Sequence, residues 1–233
     1  MKRSLPLFTG IFIIVCGFAS YSVVRPEIYF TDGKTLTFVN TVPNGTKTYS
    51  EVKILSVETQ EGRTTITGKE DRLNDQRKFT LSFRKRYWCD SVNWCVDALS
   101  NLSIPQVYSS NFTVDLDSDS LVYPFRMKTG DTLPPAFAKE IIHSGGDNER
   151  SIRYISRKVT GEESITIAGE TMKAFVIECR LIQHALTDYG QLGKIPYDKE
   201  YKYTEWFVPS KGVVKNRSES DEGANTTELT SWK

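Results

Sequence analysis

Two linked segments in the last third of the chain decide its fold. Residues 163–179 read ESITIAGETMKAFVIEC, and residues 205–215 read EWFVPSKGVVK. Each segment has the pattern of a strand, a glycine-containing turn and a second strand, with Gly169 and Gly212 at the breaks. The segments therefore predict β-hairpins, and neither contains a residue pattern typical of catalysis.

The strand that follows Gly169 is predicted to bury one face in the core. Phe175, Ile177 and Cys179 occupy every second position, and Leu181 continues the series. Side chains at this spacing lie on the same side of a strand, while the residues between them lie on the other side. We therefore expect this apolar series to point inward.

Similar alternation recurs along the rest of the chain and favours an antiparallel sheet. Short turns separate the predicted strands, and no helical pattern is long enough for βαβ units. Residues 136–142 are predicted as one short helix, and residues 184–199 as a long loop. The predicted strands are 34–41, 49–58, 64–67, 79–88, 94–99 and five more between residue 152 and the end.

Some strands have apolar residues on both faces, which calls for cover on both sides. Val52 and Ile54 share one face of a strand, and Leu55 and Val57 share the other. A curved sheet that wraps around a core buries both sets. The predicted fold is all-β with minor α: an antiparallel curved sheet, from half-barrel to barrel, with one short helix.

Length and charge narrow the range of functions. The chain has 233 residues, with 30 Lys and Arg against 29 Asp and Glu. Such a balance provides no strong field for nucleic acid, so no nucleic-acid partner is expected. A length near 200 residues suits one β domain, which we place at residues 28–233.

The N-terminus is predicted to be a signal peptide at residues 1–22. Lys2 and Arg3 precede an uncharged apolar run, and small residues near Ala19 and Ser22 offer cleavage sites. The run is also long enough to act as an uncleaved anchor. Lipidation at Cys16 is a third interpretation. Export to the periplasm or cell envelope follows from the first interpretation.

Two cysteines in a predicted hairpin are candidates for a disulfide. Cys89 and Cys95 are separated by five residues, and a hairpin loop of that length would place them opposite each other. An oxidising compartment would allow them to pair. Trp88 and Trp94 flank the same loop, and their rings could bind a ligand or pack in the core.

Four stretches of the chain resemble the TapB-like family of exported bacterial proteins, which contains domain of unknown function 3108. They are the two segments quoted above, residues 89–97 (CDSVNWCVD) and residues 123–134 (YPFRMKTGDTLP). The resemblance covers most of the chain after about residue 28. It implies export, and it implies no particular activity, because the family has no settled function and no recognised catalytic residues.

Patterns of reactive residues are scarce. The only two histidines, His143 and His184, fall in predicted loops, and no phosphate-binding glycine loop or metalloprotease motif occurs. Asp115, Asp117 and Asp119 alternate like calcium ligands but lack the glycine and distal glutamate of an EF-hand. We therefore predict no catalytic residue, no metal site and no cofactor.

The sequence leaves three functional hypotheses. The first is an exported, non-enzymatic β protein that binds an apolar, lipid-like ligand or an envelope protein on its curved sheet. The second is an envelope enzyme that acts on glycan or peptide, which would need a cleft with convergent titratable groups. The third is an anchored adhesion or assembly module. A cavity lined by several strands would favour the first hypothesis.

Overall fold

A computed structural model describes residues 30–102, 113–143, 147–188, 190 and 193–233. This part of the chain contains thirteen β-strands and one 3₁₀ helix, Ala98–Asn101, and no α-helix. The strands are Thr35–Thr41 (β1), Lys47–Gln60 (β2), Arg63–Leu73 (β3), Phe79–Cys89 (β4), Asn93–Asp97 (β5), Thr113–Ser118 (β6), Ser120–Pro124 (β7), Ala136–His143 (β8), Asp147–Ile167 (β9), Glu170–Asp188 (β10), Lys194–Val208 (β11), Gly212–Ser220 (β12) and Gly223–Trp232 (β13).

All thirteen strands form one antiparallel sheet that is nearly closed into a barrel. Its order is β6-β8-β9-β10-β11-β12-β13-β1-β2-β3-β4-β5-β7. The two edge strands, β6 and β7, are consecutive in sequence, and Asp119 between them joins the edges. The Asp119 amide donates to Phe137 O at 2.9 Å, and the Ala98 amide donates to Asp119 O at 3.2 Å. The predicted all-β antiparallel fold is confirmed.

The β9–β10 hairpin has the turn that its sequence predicts. Ala168 and Gly169 form a two-residue connection in which both φ angles are positive, 50° and 84°. Positive φ at both positions matches the right-handed twist of the flanking strands, and glycine adopts it without steric cost. The register then runs from Glu170 opposite Ile167.

The inward face predicted for β10 is confirmed at Ile177, Cys179 and Leu181, all of which are buried. Phe175 packs against the core but is only half-buried. Ala174 and Val176, on the other face, are buried as well. The β9–β10 register shifts between Val176 and Ile177, so the burial pattern changes along the strand.

The predicted short helix at residues 136–142 is wrong, because this segment is strand β8. Ala136, Ala138 and Glu140 are buried, while Phe137 and Lys139 between them are half-buried. That alternation has the period of a strand. β8 pairs with β6 on one side and β9 on the other, so its neighbours override its local helical preference.

The predicted loop at residues 184–199 is also wrong. β10 continues to Asp188 and β11 begins at Lys194, so most of this segment is a hairpin. Cross-strand pairs support it: His184 Nδ1 lies 2.8 Å from Asp198, and Arg180 Nε lies 2.6 Å from Glu200. The polar composition of this segment is typical of a loop. Pairs of opposite charges on neighbouring strands nevertheless stabilise the hydrogen-bonded ladder between β10 and β11.

The predicted signal peptide at residues 1–22, including Cys16, lies outside the described residues. In the part of the chain that the structure covers, no helix has the length and apolar character needed to cross a membrane.

Candidate functional site

The inside of the sheet contains an open cavity of about 510 Å³. Nine strands contribute side chains to it, namely β1 to β4 and β9 to β13, together with Asn101 of the 3₁₀ helix. This follows from strand geometry, because every second residue of a curved sheet points to the enclosed side. The cavity brings together residues that lie as far apart in sequence as Phe38 and Thr227.

Inner-facing residues change from apolar to polar along β1 and β13. On β1 the series is Leu36, Phe38 and Asn40, and the neighbouring strand β13 presents Leu229 and Thr227 opposite the last two. Leu36 and Leu229 are buried in the core, whereas Asn40 and Thr227 line the cavity. The barrel interior therefore has an apolar layer that supports a polar chamber.

One wall of the cavity is charged. The Glu70 carboxylate on β3 accepts a hydrogen bond from Ser50 Oγ at 2.8 Å and lies 2.8 Å from Lys85 Nζ and 3.2 Å from Arg72 Nε. Burial acts to raise the pKa of Glu70, but attraction to Lys85 and Arg72 outweighs it and holds the pKa at about 2. Glu70 is therefore ionised at neutral pH, and Lys85 also donates to Ser100 O.

The remaining wall is lined by neutral polar side chains. Gln183 on β10, Asn216 and Ser218 on β12 and Asn225 on β13 all face the cavity. None of the four side chains has a hydrogen bond or ion pair to another described residue. Each offers a donor and an acceptor to whatever fills the cavity.

Three tyrosines line the cavity next to the core. The Tyr154 hydroxyl accepts a hydrogen bond from Asn101 Nδ2 at 3.0 Å, and the Tyr154 and Tyr203 rings meet edge to face at 5.7 Å. Tyr87 lies on β4 beside Lys85. Burial raises the pKa of all three phenols above the ordinary value, so they are neutral donors at neutral pH.

A smaller chamber of about 120 Å³ continues from the cavity and shares Phe38, Tyr87, Asn101, Tyr203 and Asn216 with it. Its lining combines apolar side chains with polar ones, including the charged residues Glu205 and Lys211.

Trp94 lines this chamber in a cluster of aromatic rings. The Trp94 ring lies 4.9 Å from Phe30 and 5.7 Å from Tyr87. Its Nε1 is buried and has no hydrogen-bond partner in the described part of the chain. Trp94 thus adds an unpaired donor to the lining of this chamber.

Next to the small chamber lies a buried ionic cluster. Arg157 is fully buried; it donates to Pro134 O at 3.0 Å, and its Nη2 lies 3.8 Å from Glu205 Oε2. Tyr123 Oη donates to the same carboxylate at 2.9 Å. Burial raises the pKa of Glu205 against the opposing effects of Arg157 and Tyr123.

The cysteines and tryptophans of the predicted hairpin lie on two different faces of strands β4 and β5. Cys89 lies opposite Trp94, and Cys95 lies opposite Trp88, so the predicted register with the two cysteines opposite each other is wrong. The loop has three residues, and the Asp90 side chain accepts from the amides of Val92 and Asn93. This tight turn shifts the pairing by one position relative to the predicted five-residue loop.

Both cysteines are buried, and the two do not form a disulfide in the structure. Burial raises the pKa of Cys95 to about 11, which keeps the thiol protonated and unreactive. Trp94 points into the small chamber, whereas Trp88 lies on the outer face, where the Arg63 guanidinium sits 4.8 Å from its ring centroid. The two tryptophans are therefore not brought together.

Both histidines lie in strands rather than in loops, and both pair with aspartates away from the cavity. His143 bonds to Asp115 at 2.9 Å and to Asp147 at 2.7 Å, and these hydrogen bonds raise its pKa. His184 bonds to Asp198. Across the residues that the structure describes, no three His, Cys, Asp or Glu side chains are grouped as metal ligands.

Sequence reasoning missed the polar residues that line the cavity. Glu70, Lys85 and Gln183 belong to no recognisable motif, and the polar segment 218–227 is typical of a loose connection in the sequence. It is the tight β12–β13 hairpin instead. A polar residue at every second position is the ordinary pattern of a solvent-facing strand, so only sheet closure reveals that these residues face inward.

Comparison with known proteins identifies the fold. A candidate lipoprotein from Parabacteroides distasonis ATCC 8503 superposes with a TM-score of 0.67 at 17% identity, over 88% of this chain and 96% of that chain. A candidate exported protein with a YmcC-like fold from Bacteroides fragilis NCTC 9343 has a TM-score of 0.67 at 13% identity, over 87% of this chain and 96% of that chain. At these identities the likeness concerns the fold alone.

The family assignment rests on sequence. No curated protein matches the chain significantly. The sequence model of the DUF3108-like family, in contrast, matches residues 31–228 and so includes most of the chain. This match supports the assignment of the chain to domain of unknown function 3108, and it does not confirm the narrower name TapB-like. The chain belongs to the DUF3108-like family.

Proposed function

We propose that this chain is an exported, non-enzymatic protein of the cell envelope that binds a small molecule inside its barrel. The cavity of about 510 Å³ is the observation on which the proposal rests. Its volume lies within the range of roughly 300–1,000 Å³ typical of small-molecule sites. Side chains from many strands converge there, and several of them have unpaired polar groups.

The proposed ligand is more polar than the apolar ligand expected from the sequence. Amides, hydroxyls and the Glu70, Arg72 and Lys85 cluster line most of the large cavity. The chamber of about 120 Å³ has a larger share of apolar side chains, but polar groups line it as well. A buried polar group gains little from an apolar neighbour, so this lining favours a ligand with several hydrogen-bonding groups.

An envelope enzyme that acts on glycan or peptide is the alternative. It would require a reactive group positioned at the cavity. The Glu70 carboxylate is engaged by Ser50, Arg72 and Lys85, and the two histidines lie elsewhere. Binding without turnover is therefore the function that this cavity supports best.

A pair of tryptophan variants tests binding in the cavity. Ser218 lines it, and Arg217, its neighbour on β12, is exposed on the other face. Native mass spectrometry of the protein purified from its host should show a small-molecule adduct. Ser218→Trp should abolish the adduct because the indole fills the cavity, and Arg217→Trp should retain it. An adduct that survives Ser218→Trp at full occupancy overturns the proposal.

The same preparation tests export. The charged start and the apolar run of the N-terminus motivate cleavage near Ala19 or Ser22. The mass of the mature protein should correspond to loss of this segment. A mature protein that still begins at Met1 would contradict cleavage. A diacylglyceryl group on Cys16 would show that the N-terminus is lipidated instead of cleaved near Ala19 or Ser22.

A further inference from the structure

The cavity has a net positive charge. Its lining contains three charged side chains: Arg72 and Lys85 are cations, and Glu70 is an anion. Glu70 already accepts from both cations and from Ser50, so its single negative charge is shared between two positive ones. Lys85 is largely buried, where the screening of its charge by water is weak. The lining that the structure describes therefore contains two cations against a single anion.

The opposite wall is suited to hydroxyl groups. Gln183 is on β10, six places from β3 in the strand order, so its side chain faces the charged cluster across the barrel. With Asn216 and Asn225 it presents amides that have no partner in the described part of the chain. An amide donates and accepts at once, as a hydroxyl does, so the two groups can satisfy each other.

The smaller of the two chambers has no room for a long acyl chain. It has about 120 Å³, less than the roughly 150 Å³ that accommodates one benzene ring. The polar cavity is about four times larger, and tyrosine rings at its base can pack against the C–H face of a small ring. The space therefore fits a compact polar molecule better than a lipid tail.

We propose that the cavity selects a small hydroxyl-rich anion, of which an acidic monosaccharide is the simplest example. The anionic group would lie near Lys85 and Arg72, and the hydroxyl groups would bond to Gln183, Asn216 and Asn225. This inference rests on the proposed function, since it names the class of ligand for the same cavity.

Calorimetric titration of the protein with three matched probes tests the inference. The probes are glucuronate, glucose 6-phosphate and glucose, which share a ring and differ in the charged group. Glucuronate or the phosphate should bind at least about tenfold more tightly than glucose, because only a charged probe gains from the cluster. The comparison of the two anions shows whether the site prefers a carboxylate or a phosphate.

A charge-only variant separates the effect of charge from that of shape. Asn216→Asp places a negative charge on the amide wall at nearly the same volume, so the affinity for either anion should fall at least about tenfold more than the affinity for glucose does. Thr226→Asp on the neighbouring strand β13 is the control, since Thr226 points away from the cavity. Glu70→Gln, which removes the negative charge, should strengthen anion binding.

The possible results distinguish this inference from the proposed function. Equal affinities for glucose and for both anions, or an Asn216→Asp variant that binds both anions as well as the wild type does, would overturn the anion preference. If none of the probes binds while the host-purified protein contains a neutral or long-chain molecule that Ser218→Trp displaces, this inference fails and the proposed function stands. If Ser218→Trp displaces nothing, both fail.

Discussion

At the scale of single residues, the most consequential feature is the buried pair formed by Arg157 and Glu205. Both side chains are almost completely buried, and their closest charged atoms are 3.8 Å apart. Nε and Nη2 of Arg157 have no hydrogen-bond partner among the described residues. A buried pair of this kind adds little net stability, but the loss of one partner leaves an uncompensated charge in the core.

We predict that Glu205→Leu lowers the free energy of unfolding by about 3 kcal/mol or more, because Arg157 then remains buried without a counter-charge. The double variant Glu205→Leu with Arg157→Met should recover part of the loss. Urea denaturation measures both effects. Glu200→Leu, which removes the exposed partner of Arg180, is the control and should cost less than about 1 kcal/mol. Equal losses of unfolding free energy for Glu205→Leu and Glu200→Leu would contradict this account.

Gly212 allows the chain to pass close to Trp94. Its φ is 76°, and a Cβ atom at this position would lie 3.2 Å from two atoms of the indole ring. We expect Gly212→Ala to cost on the order of 2 kcal/mol, from the positive φ and from overpacking. Gly169→Ala provides the comparison, because it has a φ of 84° but open space around the added carbon. The difference between the two variants in thermal or urea unfolding isolates the steric contact with Trp94.

At the scale of elements, β10 shows how a bulge redistributes burial. The register with β9 shifts between Val176 and Ile177, and the fully buried residue of the original apolar series is Ile177 rather than Phe175. An alternating pattern predicts which residues share a face. It does not predict how deeply each one lies, because depth depends on the position along the barrel.

We predict that Ile177→Ala destabilises the fold by about 3 kcal/mol, as is usual for a fully buried aliphatic side chain. Phe175→Ala should cost less, although phenylalanine is larger, because part of its ring is already exposed. Equilibrium denaturation of both variants tests the order. A larger loss for Phe175→Ala would mean that the hairpin buries its ring more fully than the structure shows.

At the scale of the whole molecule, the interior charge cluster should link stability to pH. The pKa of Glu70 is about 2 in the folded protein, below its ordinary value of 4.5. A carboxyl group with a lowered pKa stabilises the folded state above its unfolded pKa, and this contribution is lost as the pH falls through the folded pKa. The relevant window therefore lies between about pH 4.5 and pH 2.

We predict that Glu70→Gln is less stable than the wild type by on the order of 3 kcal/mol at pH 7, and that this gap closes as the pH falls toward 2. Urea titrations across this range measure the gap. Glu58→Gln, at an exposed position on β2, is the control and should follow the wild type at every pH. A gap that stays constant from pH 7 to pH 2 would show that Glu70 acts through its shape and not through its charge.

The sequence alone determined the class of fold and much of the local structure. Alternating apolar residues identified most of the strands, although not β6, β7 and β8, and Gly169 identified the turn of the β9–β10 hairpin. The inward side of β10 at Ile177 and Cys179 also followed from the sequence. These features depend on contacts between residues close in the chain and on backbone conformations that particular residue types favour, so the local pattern is sufficient to predict them.

The tertiary structure decided what is inside the barrel. The β8 segment became a strand only because β6 and β9 flank it, and the cysteine pairing depended on a one-residue change of register. Gln183 and Asn216 resemble solvent-facing residues in the sequence, yet they face an enclosed cavity. The physical reason is that a strand pattern specifies two faces without stating which is enclosed by the sheet. Closure through Asp119 settles that choice for every strand at once.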